Sequence, residues 1–291
     1  LNESFATWSA AISQAEETQY DTAWVTFANV EKSWAYQQDQ LPTTHPISTD
    51  ASDIETVEQN FDGITYAKGA SVLKQLQAYV GRENFFAGVR RHFKAHAFSN
   101  ATFDDLLASL AESSGRDLSF WAKQWLKTTG INTFAVELDT DDAGVITTAQ
   151  LVQRGETLRT HRAGVGIYNL VDGKAVRTDR IEMDIDGEST DIPQLVGRKE
   201  QDIDFLLPND DDLTYALIEL DSKSLEFMVE NIDKFADPMA RTLCWSAAWE
   251  MTRGGTMRAR DFVALVARGA SAETELAVLE RIVAQAGTAQ F

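Results

Sequence analysis

Glu3, Tyr66 and the pair His92 and His96 are the residues whose types and placement could do chemistry in this chain. A carboxylate is a hard oxygen ligand for a divalent metal. Glu3 stands at the head of a segment, Phe5, Trp8, Ile12 and Ala15, with helical spacing. A glutamate in that position is also favoured by the helix dipole alone. A phenol with an ordinary pKa of about 10 keeps its proton at neutral pH and can donate to an oxyanion. His92 and His96 are one helical turn apart, a spacing that can bind zinc. The residues between them are Phe93-Lys94-Ala95, with no Glu in the second position. Phe93 reads as a core residue and His96 as a cation near a helix end, so no metal site is expected there. His45, in a turn beside Pro46, and His161, among strand-like residues, lack metal-ligand neighbours in sequence.

The stretches around Glu3 and Tyr66 are more specific than either residue. Leu1-Asn2-Glu3-Ser4-Phe5-Ala6 and Tyr66-Ala67-Lys68-Gly69-Ala70-Ser71-Val72-Leu73 resemble two landmarks of the M1 family of zinc aminopeptidases, the aminopeptidase N type. The resemblance implies that Glu3 is the third zinc ligand of an intact enzyme and that Tyr66 donates to the transition state. It implies Zn2+ as cofactor and peptides, held by their free N-terminus, as substrates. It also implies two further segments, H-E-x-x-H and G-A-M-E-N, which this sequence lacks and which the family places before Leu1. One carboxylate cannot hold zinc by itself, so the chain alone is expected to bind none tightly and to be inactive. The alternative is a non-catalytic, peptidase-like scaffold that binds protein.

Composition narrows the classes. A formal charge of -19 argues against nucleic acid, whose phosphates need a basic surface. Part of that charge falls in turn-like stretches such as Asp139–Asp142 and Asp210–Asp212, which favours a solvated acidic surface over an acidic cleft that attracts a cationic peptide N-terminus. No apolar run is long enough to span a membrane. The single cysteine, Cys244, lies in apolar Leu243-Cys244-Trp245, which predicts a buried structural thiol and fits a reducing, cytoplasmic setting. No phosphate loop and no nucleophile elbow occurs, and nothing in the sequence fixes the oligomeric state.

The elements that must position these residues follow from periodicity. Through about residue 130 apolar residues keep helical spacing, with Phe61, Ile64, Val72, Leu73, Leu76 and Val80 on one face. Thr102 and Asp105 form a capping-box pattern, Asp117 is placed to cap a last helix bearing Trp121 and Trp125, and Gly130 marks a helix stop. Alternation then sets in with Phe134, Val136 and Leu138, broken by turn signals such as Asp172-Gly173. Helical spacing returns from Leu225 onward. The predicted fold is multidomain α+β: helices over 1–130, an antiparallel β-sandwich over 131–221, and stacked helices over 222–291. The resemblance makes the first the later part of a thermolysin-like catalytic domain and the last the start of a C-terminal helical domain.

Overall fold

The computed structural model describes residues 2–49 and 54–290. Leu1, the first residue of the Leu1-Asn2-Glu3 stretch, lies outside them, as does Phe291. The first part is helical: α1 (Asn2–Glu17), α2 (Ala23–Thr26), α3 (Lys32–Asp39), α4 (Ile54–Gln59), α5 (Gly69–Val80), α6 (Arg82–Ala95), α7 (Phe103–Ser114) and α8 (Trp121–Leu126). Two π-helical turns interrupt the order. Phe27–Glu31 joins α2 to α3, and Ile64–Lys68 leads into α5. The face read around α5 is buried at Ile64, Val72, Leu73, Leu76 and Val80, where it meets Trp8 and Ile12 of α1 and Phe85 of α6.

The Thr102 box forms: Asp105 N–H donates to Thr102 Oγ1 at 3.3 Å, and Thr102 N–H to Asp105 Oδ2 at 2.7 Å. Asp117 does not cap α8. Its carboxylate accepts from Ser119 N–H at 2.9 Å in the preceding turn, and α8 begins at Trp121. Phe61 and Phe93 also depart from expectation. Both are more than half exposed, at 56% and 58%, each resting against a neighbouring ring, Phe61 on Tyr66 and Phe93 on Phe5, and not in the core.

Two sheets follow. One has β5 (Ser189–Asp191), β2 (Ile146–Arg154), β1 (Asn132–Thr140) and β7 (Ala216–Ile218) in that order; the other has β4 (Lys174–Ile185), β3 (His161–Val171) and β6 (Phe205–Asp210). Alternate residues of both, including Phe134, Leu151, Val165, Ile167, Ile181 and Leu206, share one core, so the sheets face each other. The Asp172-Gly173 signal makes the tight β3–β4 turn, with φ of 50° and 78° as a two-residue hairpin needs. The expectation of a purely antiparallel sandwich fails at one strand: β1 and β7 pair in parallel, Asn132 opposite Ala216. Three residues of β7 give no alternation from which its direction could be read.

The last four helices are α9 (Ser222–Asn231), α10 (Pro238–Arg253), α11 (Ala259–Gly269) and α12 (Leu276–Ala289). Asp237 caps α10 through Met239 N–H at 3.0 Å, with Pro238 in the first turn. Trp245, Phe262, Leu265 and Ile282 pack with Tyr168 and Phe205 of the sheet, so this helical segment and the sandwich share apolar surface. Cys244 is free and buried there. Among the described residues no helix is long and apolar enough to cross a membrane.

Buried cationic side chains join the helices to the sheets. Lys32 Nζ lies 2.5 Å from Asp212 Oδ1 and also donates to the Thr214 carbonyl. The Arg159 guanidinium donates to Thr129 O, Thr128 Oγ1 and Asn132 Oδ1 at 2.7–2.8 Å. The turn-like Asp210–Asp212 run is therefore not a solvated patch. Asp210 and Asp212 are 0% and 1% exposed, and Arg177 pairs with Asp210. A buried carboxylate is tolerated only with such partners, and the partners come from distant segments that the local sequence does not reveal.

Candidate active site

Glu3 lies in the first turn of α1, and Tyr66 is the middle residue of the Ile64–Lys68 π turn. α1 is held against that turn by the residue next to Glu3: the buried Ser4 hydroxyl donates to the Thr65 carbonyl at 2.7 Å. A widened turn leaves backbone carbonyls without their usual helical partner, and a side-chain hydroxyl from outside is one way to satisfy them. The approach is close because position 69 is glycine. A Cβ there would come within 2.0 Å of Ser4 Oγ and 2.6 Å of Ser4 Cβ. Gly69→Ala is expected to destabilise the fold by about 1–3 kcal/mol, the scale of overpacking. Pairing it with Ser4→Gly should recover part of that loss in urea unfolding. A Gly69→Ala protein as stable as the parent would show that α1 does not rest on this contact.

This docking brings Glu3 and Tyr66 together. Both are partly exposed, so both remain open to a ligand. The phenol of Tyr66 is raised above its ordinary pKa first by desolvation, then by the negative charge of Glu3 and a hydrogen bond to it. All three hold the hydroxyl in its protonated, donating form. The Phe61 ring stands 6.0 Å from the Tyr66 ring, tilted 52° to it.

Both ends of the π turn are fastened. At its start Asp62 Oδ1 accepts from Ile64 N–H and Thr65 N–H, each at 3.0 Å, and Gly63 N–H donates to Gln38 Oε1 at 2.6 Å. At its end Lys68, wholly buried, lies 2.7 Å from Asp39 Oδ2 and donates to the Gly130 carbonyl at 3.1 Å. Burial lowers the Lys68 pKa to about 8 against the pull of Asp39. Asp39 also accepts from Thr44 Oγ1, Gly130 N–H and Tyr215 OH. Lys68 is thus a buried tie between the turn that carries Tyr66, α3 and the start of the sheets.

His92, His96 and His161 are not part of this constellation. The His92 and His96 rings lie 5.0 Å apart beyond α1. His92 and Phe93 line an open apolar groove of about 370 Å³ with Asn2, Phe5 and Phe103, and neither Glu3 nor Tyr66 faces it. His161 is buried, bonded to Thr214 Oγ1 and Gln153 Oε1, and burial drives its pKa well below the usual value, so it is a neutral core residue. Among the described residues no group of three or more His, Cys, Asp or Glu is arranged to hold a metal. Glu3 can offer one oxygen donor, and a zinc site commonly takes three protein ligands.

A carboxylate thus faces a protonated phenol, on a helical layer backed by two sheets and a further set of helices. Residues 1–125 match the peptidase family M1 domain, and residues 205–290 match an ERAP1-like C-terminal domain. The chain belongs to the M1 peptidase family. It is 50% identical over 295 residues to aminopeptidase N of Streptomyces lividans, an overlap that takes in 97% of this chain and 34% of that protein. Probable aminopeptidase 2 of Sulfurisphaera tokodaii is 42% identical over 130 residues, 45% of this chain and 17% of the relative. Leucyl aminopeptidase of Saccharolobus solfataricus is 42% identical over 132 residues, again 45% and 17%. The chain thus spans about a third or less of the length of these relatives.

Proposed function

We propose that this chain supplies the third zinc ligand, Glu3, and the oxyanion donor, Tyr66, to an aminopeptidase that removes the N-terminal residue of peptides. The observation that carries the reading is the meeting of these two side chains across the Ser4–Thr65 contact, despite their separation in sequence. Zinc, when bound, polarises the peptide carbonyl and lowers the pKa of a water. The chain's own part is narrower. The Glu3 carboxylate fixes one ligand direction from the first turn of α1. The Tyr66 hydroxyl donates to the oxygen that becomes negative as the carbonyl turns tetrahedral. The 291 residues contain no H-E-x-x-H sequence, so the two imidazoles and the general base must come from outside this chain. In this reading residues 1–130 belong to the catalytic domain, 131–221 form the sandwich, 222–291 open a C-terminal helical domain, and the chain by itself is inactive. The placement of Glu3 beside Tyr66 favours the peptidase over a binding scaffold, which has no use for a phenol held protonated beside a carboxylate. The single, buried thiol accords with a cytoplasmic setting.

A full-length polypeptide containing this chain is expected to release N-terminal residues from unblocked peptides and to spare N-acetylated ones. Chelation should abolish the activity and zinc should restore it. No hydrolysis by the zinc-loaded polypeptide would favour the scaffold instead.

A further inference from the structure

The π turn that carries Tyr66 hangs from Asp62, and Asp62 in turn hangs from a histidine that sequence reading placed only in a turn. His45 Nε2 lies 2.8 Å from Asp62 Oδ2, and His45 Nδ1 lies 2.8 Å from the Pro46 carbonyl. With a hydrogen-bond partner at each ring nitrogen, the His45 ring has a fixed orientation. The other oxygen of Asp62 holds the amides of Ile64 and Thr65, and the Asp62 carbonyl accepts from Tyr66 N–H at 3.0 Å. The two side chains are 18% and 16% exposed, so the pair is shielded from water without being sealed. Every member of this chain of bonds is satisfied, from the Pro46 carbonyl to the Tyr66 amide.

We infer that His45 is a positioning residue for Tyr66. By orienting Asp62 it sets where the π turn starts, and so where the phenol points. Among the described residues His45 bonds to Pro46 and Asp62, and not to Glu3 or Tyr66. Its effect runs through backbone placement, and an error of about 1 Å at a reacting group can cost on the order of 10²-fold in rate. This inference rests on the reading of Tyr66 as oxyanion donor.

The test compares His45→Phe, which keeps a ring but no donor, with His45→Gln, whose side-chain amide can still donate to Asp62. In the full-length, zinc-loaded polypeptide His45→Phe is expected to lower kcat roughly tenfold, with KM within about twofold and zinc content unchanged, since the effect is a fraction of that misplacement cost. His45→Gln should stay within about threefold of the parent, because it keeps the one bond that orients the carboxylate. In the 291-residue chain, amide hydrogen exchange at Ile64 and Thr65 should quicken in His45→Phe and not in His45→Gln. Three results would overturn the inference: unchanged kcat in His45→Phe, equal losses in both variants, or a loss confined to KM or zinc content. If the parent polypeptide hydrolyses no peptide, it is the reading of Tyr66 that has failed. The exchange arm then still decides whether His45 holds the turn, and equal exchange in parent and His45→Phe would refute it.

Discussion

Tyr66→Phe in the full-length polypeptide should lower kcat by about 10²–10³, the scale for losing one oxyanion donor. KM should change less, because the hydroxyl acts when the carbonyl oxygen gains charge and not when the peptide first binds. Only one oxygen atom is removed. The ring keeps its place beside Phe61, and the turn keeps its ties at Asp62 and Lys68. Folding and zinc content should therefore match the parent. Burial and the Glu3 charge both hold the phenol protonated, so it is present as a donor at neutral pH. If kcat stays within a factor of two, Tyr66 is a packing residue on the flank of a helical face.

Glu3→Gln should have a larger effect of a different kind. The substitution keeps the shape of the side chain and removes its charge and one good metal-binding oxygen. Losing even an outer partner of a metal ligand typically costs 10–100-fold in affinity, and losing a ligand should cost at least that. The purified variant is expected to carry little zinc and correspondingly little activity, with partial recovery at excess zinc. Stability should hardly change, because Glu3 is partly exposed and it is Ser4, not Glu3, that docks α1 on the π turn. Full zinc occupancy with normal activity in Glu3→Gln would remove Glu3 from the ligand set. The 291-residue chain should show no tight stoichiometric site when zinc is titrated by calorimetry, since Glu3 supplies only one of the ligands.

What the sequence disclosed and what it hid divide along physical lines. Periodicity placed the helices around Phe85 and Leu106 and the alternation beginning at Phe134, because apolar spacing reports which face is buried. The Thr102–Asp105 box and the Asp172-Gly173 turn were legible because both are local bonds within a few residues. The parallel pairing of β7 was hidden, since strand direction depends on a long-range partner. So was the burial of Asp210, Asp212, Lys32 and Lys68: a charged residue looks solvated until its counter-ion arrives from another element. Glu3 and Tyr66 were singled out through the motifs around them, and the fold brings the two side chains together. The fasteners of the site, His45, Asp62, Gln38 and Lys68, were missed as fasteners. Gly63 and Gly69 offered a signal for them, because paired small residues around a candidate donor point to close backbone approach. Gly69 admits Ser4, and a Cβ on Gly63 would meet Gln38 Oε1 at 2.8 Å.

The central claim is that Glu3 and Tyr66 serve one reaction centre. The most direct measurement is a crystal structure of the zinc-loaded, full-length polypeptide with a tetrahedral transition-state analogue bound. The account predicts a Glu3 carboxylate oxygen about 2.0–2.2 Å from zinc. It also predicts the Tyr66 hydroxyl about 2.7–3.1 Å from the oxygen of the analogue that stands for the oxyanion. Zinc held without Glu3, or a Tyr66 hydroxyl turned away from the analogue, would contradict it.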